Sequence, residues 1–497
     1  MTVEKSNRPE ARSPRGFRDR MGAELAAERR MLETIRSVYE AYGFDALETS
    51  AIEYADALGK FLPDQDRPNE GVFAFRDDDE QWLAMRYDLT APLARFVAEN
   101  FDALPKPFRR YQAGQVFRNE KPGPGRYREF TQFDADTVGT ASVVADAEGY
   151  MMLCDALEKL GLGGNYLVKV NNRKVLNGVL EAIGIAKGAA SEGQRGAVLR
   201  AIDKLDRLGP QAVRQLLGAG RKDESGDFTR GAELGAAAIE RVVALTEVNA
   251  AARGDVCDRL LALVATSEEG RKGVDELREI DNILTAAGYG DERVRFDPSV
   301  VRGLAYYTGP VVEAELTFQV TNEDGQLVRF GSVASGGRYD DLIMRFKGVE
   351  VPATGISIGV SRLLAALIAK GLVSTASAQG PIVVLVMDRD AMGGYLAMVR
   401  ELRAAGLRAE LYTGTAGMKA QLKYADKRQS PVVIIEGGDE RAKGAVTLKD
   451  LALGAERAKD IKDRDQWSKG SEAQMTVPRA NLVEAVKQIL ARGGRRA

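Results

Sequence analysis

Phe117-Arg118-Asn119-Glu120 is followed by Lys121-Pro122-Gly123-Pro124 and then by Gly125-Arg126-Tyr127-Arg128-Glu129-Phe130-Thr131-Gln132-Phe133-Asp134-Ala135-Asp136, and the fold reading turns on this stretch. Residues 108–139 read as two strands joined by a basic, Pro/Gly-rich loop. Side chains alternate faces along a strand, so Arg118 and Glu120 share one face of the first strand. Phe130, Gln132, Asp134 and Asp136 share one face of the second. A guanidinium, a carboxylate, an aromatic plate and an amide–carboxylate pair on one sheet face suit a nucleotide and a small polar ligand. For either strand alone, a solvated charged face is the simpler explanation; the length of the combined pattern argues for a site.

Four further stretches add chemistry. Arg302-Gly303-Leu304-Ala305-Tyr306-Tyr307-Thr308-Gly309 and Gly336-Gly337-Arg338-Tyr339-Asp340 combine a fixed cation, adjacent phenols and glycines, which suits a small zwitterion with a polar side chain. Adjacent tyrosines in a strand point to opposite faces, which favours Tyr307 for the ligand and leaves Tyr306 a core reading. Asp88-Leu89-Thr90 opens a helix carrying Pro92 in its first turn, where Asp88 or Thr90 serves as a cap on the plainest reading. Gly359-Val360-Ser361-Arg362 runs from a glycine-spaced strand into a helix, and alone it is only a helix start with a surface arginine.

Among 497 residues there is no histidine. That excludes Ser-His-Asp hydrolysis, a histidine general base and imidazole-ligated zinc or haem. Apolar residues make up 44% and charged residues 29%, as in an ordinary globular chain. Lys plus Arg (70) nearly balances Asp plus Glu (72), so a nucleic-acid surface must be a local patch. Cys154 and Cys257 lack metal-ligand spacing and read as buried spectators in a reducing compartment. No apolar run approaches the ~20 residues that span a bilayer. The polar start carries no signal-peptide core, so no membrane association and a cytoplasmic location are expected.

Apolar residues at Leu25, Leu32, Ile35, Tyr39 and Tyr42 mark a helix ended by Gly43, with a strand expected at 44–49. Residues 185–285 are Ala-, Leu-, Glu- and Arg-rich at helical spacing and read as a helical insertion. Strands resume at Val294; Ser374–Gly380 is the best linker, and strands and helices then alternate to the end. The expected organisation is a disordered tail over 1–13, a core over 14–184 and 286–373, the insertion over 185–285 and a C-terminal α/β domain over 381–497.

The F-R-x-E, basic loop and G-R-Y-R-E-F pattern resembles motif 2 of class II aminoacyl-tRNA synthetases, and Gly359–Arg362 resembles motif 3. The Arg302–Gly309 and Gly336–Asp340 stretches resemble the histidine-binding motifs of histidyl-tRNA synthetases, and the likeness covers nearly the whole chain. The fold so implied is α+β: an antiparallel-sheet catalytic core with a helical insertion, plus an α/β anticodon-binding domain. The implied reaction is ATP-dependent ligation of L-histidine to tRNA(His) through histidyl-adenylate, with Mg²⁺, in a homodimer. By the same resemblance Arg118, Glu120, Arg126, Phe130 and Arg362 bind ATP, and Arg118, Arg302 and Arg362 are catalytic. Asp88, Leu89, Thr90, Gln132, Asp136, Arg302, Tyr306 and Tyr307 surround histidine. The family commonly has glutamate where Ser361 stands, an acidic residue where Ala305 stands, and often histidine at Asn119 and Thr131.

Lys419, Lys423 and Lys427 recur every four residues and share a helix face. A solvated face is the default reading, but the surrounding pattern resembles the anticodon domain of histidyl-type synthetases and implies tRNA contact. The alternative to a ligase is a catalytically silent, histidine-sensing paralogue of the ATP phosphoribosyltransferase regulatory type. Such paralogues usually lack the C-terminal domain and lose the ATP-binding arginines.

Overall fold

The computed structural model describes residues 9–61, 71–122, 127–186, 188, 191–222, 226–301, 307–321, 327–373, 380–451, 453 and 473–494. It divides into two compact units, Met1–Ser374 and Thr375–Ala497. Residues 374–379 of the expected linker lie outside the described residues.

The first unit is built on an eight-stranded sheet. In spatial order the strands are Asp45–Ala46, Phe108–Phe117, Glu129–Val138, Ala353–Gly359, Ser332–Arg338, Pro310–Leu316, Tyr166–Asn172 and Val294–Phe296. The outermost pair at each edge is parallel and every inner pair antiparallel. Alternation along Glu129–Val138 decides what faces where. Phe133 and Ala135 enter a core with Ile35 and Tyr39 of helix Gly22–Ala41 and Leu153 and Leu157 of helix Val144–Lys159. Tyr39 meets Phe133 edge-on at 5.0 Å. Phe133, Ile35, Leu153 and Leu157 each contribute about 1.5–3 kcal/mol on full burial. Gln132, Asp134 and Asp136 are thereby turned to the opposite face, buried but polar.

The strand expected at 44–49 is only Asp45–Ala46. After Leu47 N–H donates to the Tyr111 carbonyl (2.9 Å), the chain leaves the sheet. The Arg86 guanidinium then takes the Thr49 carbonyl at 2.9 Å.

Residues 185–285 form helices Glu192–Ile202, Leu205–Leu217, Ala236–Thr246, Arg253–Val264 and Glu268–Ala286. They also contain a hairpin, Gly220–Lys222 with Phe228–Arg230, which the helical reading did not foresee. Apart from exposed Phe228 these short strands are polar or glycine, and they carry no period-2 signal. The last helix crosses Arg173–Ala182 closely, because Gly178 faces Gly270; a Cβ at Gly178 would lie 2.5 Å from Gly270 Cα.

The second unit is a five-stranded sheet in the order Ala409–Leu411, Ile382–Val384, Val432–Ile435, Ala445–Asp450, Gln474–Pro478. The first three strands are parallel and the last two antiparallel. Tyr395, Met398, Leu402, Leu482 and Val486 pack one face, and Ala425 packs the other. Helices Met392–Ala404, Met418–Lys427 and Leu482–Gly494 complete the α/β layers.

Candidate active site

The Phe108–Phe117 and Glu129–Val138 strands pair in a register that sets Arg110 opposite Asp136 and Gln112 opposite Asp134. On the other side Gly355 faces Asp136 and Ser357 faces Asp134. Gly355 is required here, since a Cβ would sit 1.9 Å from Asp136 Oδ1. Arg110 is fully buried, and its Nη2 lies 2.8 Å from Asp136 Oδ2. That nitrogen directs its hydrogen bond to the Leu89 carbonyl (3.1 Å), so the arginine supplies Asp136 with charge but no aligned donor to Oδ2. The Tyr339 hydroxyl donates to Asp136 Oδ1. Asp134 is only 2% exposed, and its Oδ1 has no hydrogen-bond partner among the described residues.

These groups border a cleft lined by Thr90, Asp134, Asp136, Tyr307, Ser335, Tyr339 and Ser357 with the backbone around Gly336 and Gly355. Burial holds the Asp88, Asp134 and Asp136 carboxyls above the usual carboxylate range. For Asp134 the charge of Asp136 adds to burial and the pKa rises to about 7. Arg110 pulls Asp136 partly back. Burial, and then the carboxylates Asp134, Asp136 and Asp88, push the Tyr307 phenol up.

Of the residues expected around a zwitterion, Thr90, Asp136 and Tyr307 line this cavity. Tyr307 sits in irregular chain ahead of strand Pro310–Leu316, not within a strand as expected. Asp88 caps helix Thr90–Glu99, its Oδ1 accepting from the Thr90 and Ala91 N–H groups at 3.1 and 2.9 Å. Leu89 is fully buried, and its contribution to this site is the carbonyl that accepts from Arg110. Gln132 donates to Ser357 Oγ at 2.6 Å and is not among the lining residues. Arg302 and Tyr306 lie outside the described residues.

A second group forms where the first long strand ends. The Arg118 guanidinium lies over the Tyr87 ring at 4.3 Å and the Phe130 ring at 5.1 Å. Tyr87 donates to Glu120 Oε1 at 3.2 Å, so Arg118, Glu120 and Phe130 are brought together. Arg126 lies outside the described residues. Arg362 is exposed in the first turn of helix Val360–Ala369 and donates to the Phe330 carbonyl. Its neighbour Ser361 accepts the Thr131 N–H at 3.0 Å.

The Gly336–Asp340 stretch divides its labour. Tyr339 faces the cavity, while Arg338 is buried in an ion pair with Asp146 and donates to the Thr140 and Ser142 carbonyls, both at 3.0 Å. Asp340 Oδ2 accepts from Thr308 Oγ1 at 2.8 Å, which ties the Tyr307 segment to this strand. A Cβ on Gly337 would lie 2.9 Å from the Tyr307 ring.

The sequence reading missed Arg110, Asp134 and Ser357 as site residues. Asp134 stood on the right face but had no assigned role. Arg110 becomes visible only once the hairpin register sets it opposite Asp136.

In the second unit Lys419, Lys423 and Lys427 are exposed on helix Met418–Lys427, while Gln421 and Ala425 face inward. Gln421 fixes the helix by bonding both the N–H and the carbonyl of Val386. Arg428 pairs instead with Glu410 at 2.9 Å.

A family model described as histidyl-tRNA synthetase matches residues 16–363. The chain belongs to the histidyl-tRNA synthetase family. A second model, the anticodon binding domain, matches residues 381–489. The histidine–tRNA ligase of Brucella ovis is 58% identical over 491 residues, covering 98% of this chain and 97% of that one. The histidine–tRNA ligase of Methylocella silvestris is 60% identical over 501 residues, covering 99% and 100%. The crystal structure of histidyl-tRNA synthetase from Nostoc sp. PCC 7120 superposes with a TM-score of 0.71 at 29% identity, covering 97% of this chain and 100% of that one. A Bacillus halodurans structure, described as an ATP phosphoribosyltransferase regulatory subunit/histidyl-tRNA synthetase, shares the fold at TM-score 0.65 and 22% identity, covering 86% and 98%.

Proposed function

We propose that this chain ligates L-histidine to tRNA(His), using ATP, through a histidyl-adenylate. The observation that carries the reading is the convergence of Asp134, Asp136, Tyr307 and Tyr339 on one cavity, with Arg118 seated over the ring of Tyr87, next in the chain to Asp88. A site made of buried hydrogen-bonding groups rejects ligands that leave them unpaired by about 10⁴–10⁵-fold.

In this reading Asp88, Thr90 and Gln132 hold the ammonium end of histidine and its surroundings, and Asp136 with Tyr307 reads the ring. The histidine carboxylate attacks the α-phosphate of ATP in line and pyrophosphate leaves. The nucleophile is already an anion, so this step needs no general base; it needs cations against the developing phosphate charge. Arg118, Arg302 and Arg362 supply them. Phe130 stacks on adenine, while Glu120 and Arg126 hold the base and the γ-phosphate. Mg²⁺ would be held mainly by the ATP phosphates, where it would help neutralise their charge. In the second step the terminal ribose of tRNA attacks the adenylate. The chain has no imidazole to take the proton, so an adenylate phosphate oxygen or another substrate group accepts it.

The catalytic reading spans 14–184 and 286–373, with 185–285 inserted. The C-terminal unit binds the anticodon end of tRNA, and Lys419, Lys423 and Lys427 meet its phosphates. We infer a cytoplasmic homodimer. Exposed Ile52, Tyr54 and Phe75 share one face of the small sheet Ile52–Tyr54, Trp82–Met85, Ala74–Arg76 and leave an apolar face suited to burial, and no helix of the described residues is long and apolar enough to cross a membrane. The test is transfer of labelled histidine to a tRNA(His) transcript. Charging supports the ligase; histidine binding with neither adenylate nor charging favours the sensing paralogue.

A further inference from the structure

We infer that Asp134 is a second ring-reading carboxylate, which holds the imidazole of histidine by sharing one proton with it. The inference rests on the histidine-ligase reading above and assigns a residue that reading leaves without a role.

Two buried acceptor atoms border the cavity without an aligned donor among the described residues, Asp134 Oδ1 and Asp136 Oδ2. Both carboxylates are 2% exposed and lie two residues apart on one strand face. Buried polar atoms of this kind are costly unless a ligand or water satisfies them. Asp136 has Arg110 for charge and Tyr339 for a hydrogen bond, whereas Asp134 is left with Ser357, which itself receives a bond from Gln132. The groups facing Asp134 are Asp136 on its own strand, Arg110 on the paired strand, Asp88 and Tyr307; Arg86, and Tyr39 across the sheet, feel its charge. Arg110 already compensates Asp136, so one carboxylate of the pair is left over in a buried site. Two such acids side by side resist being charged together, and the proton is kept longest on Asp134.

An imidazolium carries two N–H donors, one for each orphaned oxygen. Neutral imidazole entering beside a protonated Asp134 gives the same proton count: the acid's proton passes to the ring nitrogen, and the ring lies between Asp134 and Asp136. Imidazole titrates near pH 6.5, close to Asp134, so the proton rests on either partner at little cost. Above about pH 7 both partners have lost it, and binding must take one proton from solvent. Histidine affinity should then fall about tenfold per pH unit.

The experiment is histidine binding by calorimetry on the full chain at pH 8, in two buffers of different ionisation heat, which counts protons directly. The wild type should take up close to one proton per histidine. Asp134→Asn should take up none, bind histidine about 10- to 100-fold more weakly at pH 7, and lose the alkaline decline. Its KM for ATP should stay within about twofold. Ser357→Ala removes a donor that favours ionised Asp134 and should move the alkaline decline to higher pH. That arm keeps the inference open to refutation if the Asn variant folds poorly. Equal proton uptake in wild type and Asp134→Asn, or an unmoved decline in Ser357→Ala, overturns the role of Asp134 while leaving the ligase reading intact. A wild type that binds no histidine overturns both.

Discussion

The backbone N–H of Thr131 donates to Ser361 Oγ at 3.0 Å, which pins the second long strand to the helix turn that carries Arg362. Thr131 Oγ1 in turn donates to buried Glu28 at 3.2 Å, and Glu28 pairs with Arg20. Where related enzymes commonly place glutamate, this chain uses a hydroxyl anchored by strand backbone. Ser361→Ala should lower stability by about 1 kcal/mol and raise the KM for ATP several-fold, with little change in the KM for histidine. Steady-state exchange kinetics read the split; equal changes in both constants would mean that the anchor does not serve Arg362.

Arg338 and Asp146 form a buried pair at 3% and 1% exposure. Burial works against Arg338's charge, but Asp146 outweighs it and holds the guanidinium charged. Removing one partner strands the other, so Arg338→Ala should cost about 3–5 kcal/mol, and a matched apolar double replacement much less. Urea unfolding of both variants checks this.

How much of this was legible depended on whether the signal was local. The two long strands, the helix opening at Thr90 and the α/β order after residue 380 announce themselves by period and by turn residues. Alternation grouped Arg118 with Glu120, and only the resemblance to motif 2 joined Phe130 to them as a nucleotide site. Arg110 and Ser357 did not, because their roles are set by register with residues far along the chain: Asp136 opposite one, Asp134 opposite the other. The Gly220–Lys222 hairpin was invisible because it buries too little to need an apolar pattern. Arg338 read as part of a ligand motif, yet in the structure it is a clamp, and only burial reveals the difference.

Asp134 also sets a pH dependence of stability. Its folded pKa, about 7, lies above the ordinary carboxylate value because burial and Asp136 oppose the charge. Between about pH 4 and 7 the folded state holds a proton that the unfolded state has released, so stability at this site falls as pH rises through that window and levels off above it. Asp134→Asn should therefore stabilise the protein at pH 8 relative to wild type, by a few kcal/mol at most, and by much less at pH 4.5. A pH series of thermal unfolding gives the answer, and a stabilisation that grows toward acid would contradict the assignment.

The lysine stripe makes a separable prediction. Lys423→Glu should weaken tRNA(His) binding and reduce its salt slope by about 1 for each phosphate the helix no longer neutralises, while ATP–pyrophosphate exchange is unaffected. Filter binding across a salt series measures both the affinity and the slope. An unchanged slope leaves the stripe a solvated face.

The absence of histidine from all 497 residues means that synthesis of this chain draws nothing from the tRNA(His) pool it fills. Inserting several histidine codons at exposed positions should reduce its synthesis when histidine is limiting and leave it unchanged when histidine is plentiful. Pulse labelling reads this directly, and equal synthesis in starvation would remove any advantage of the omission.

The most direct test of the account is ATP–pyrophosphate exchange with each of the twenty amino acids supplied singly. Exchange driven by histidine alone is predicted, and it should be strongly reduced in Arg118→Ala, by about 10²-fold or more. Exchange with another amino acid, or with none while histidine still binds, would contradict the assignment of this cavity and its arginines to histidine activation.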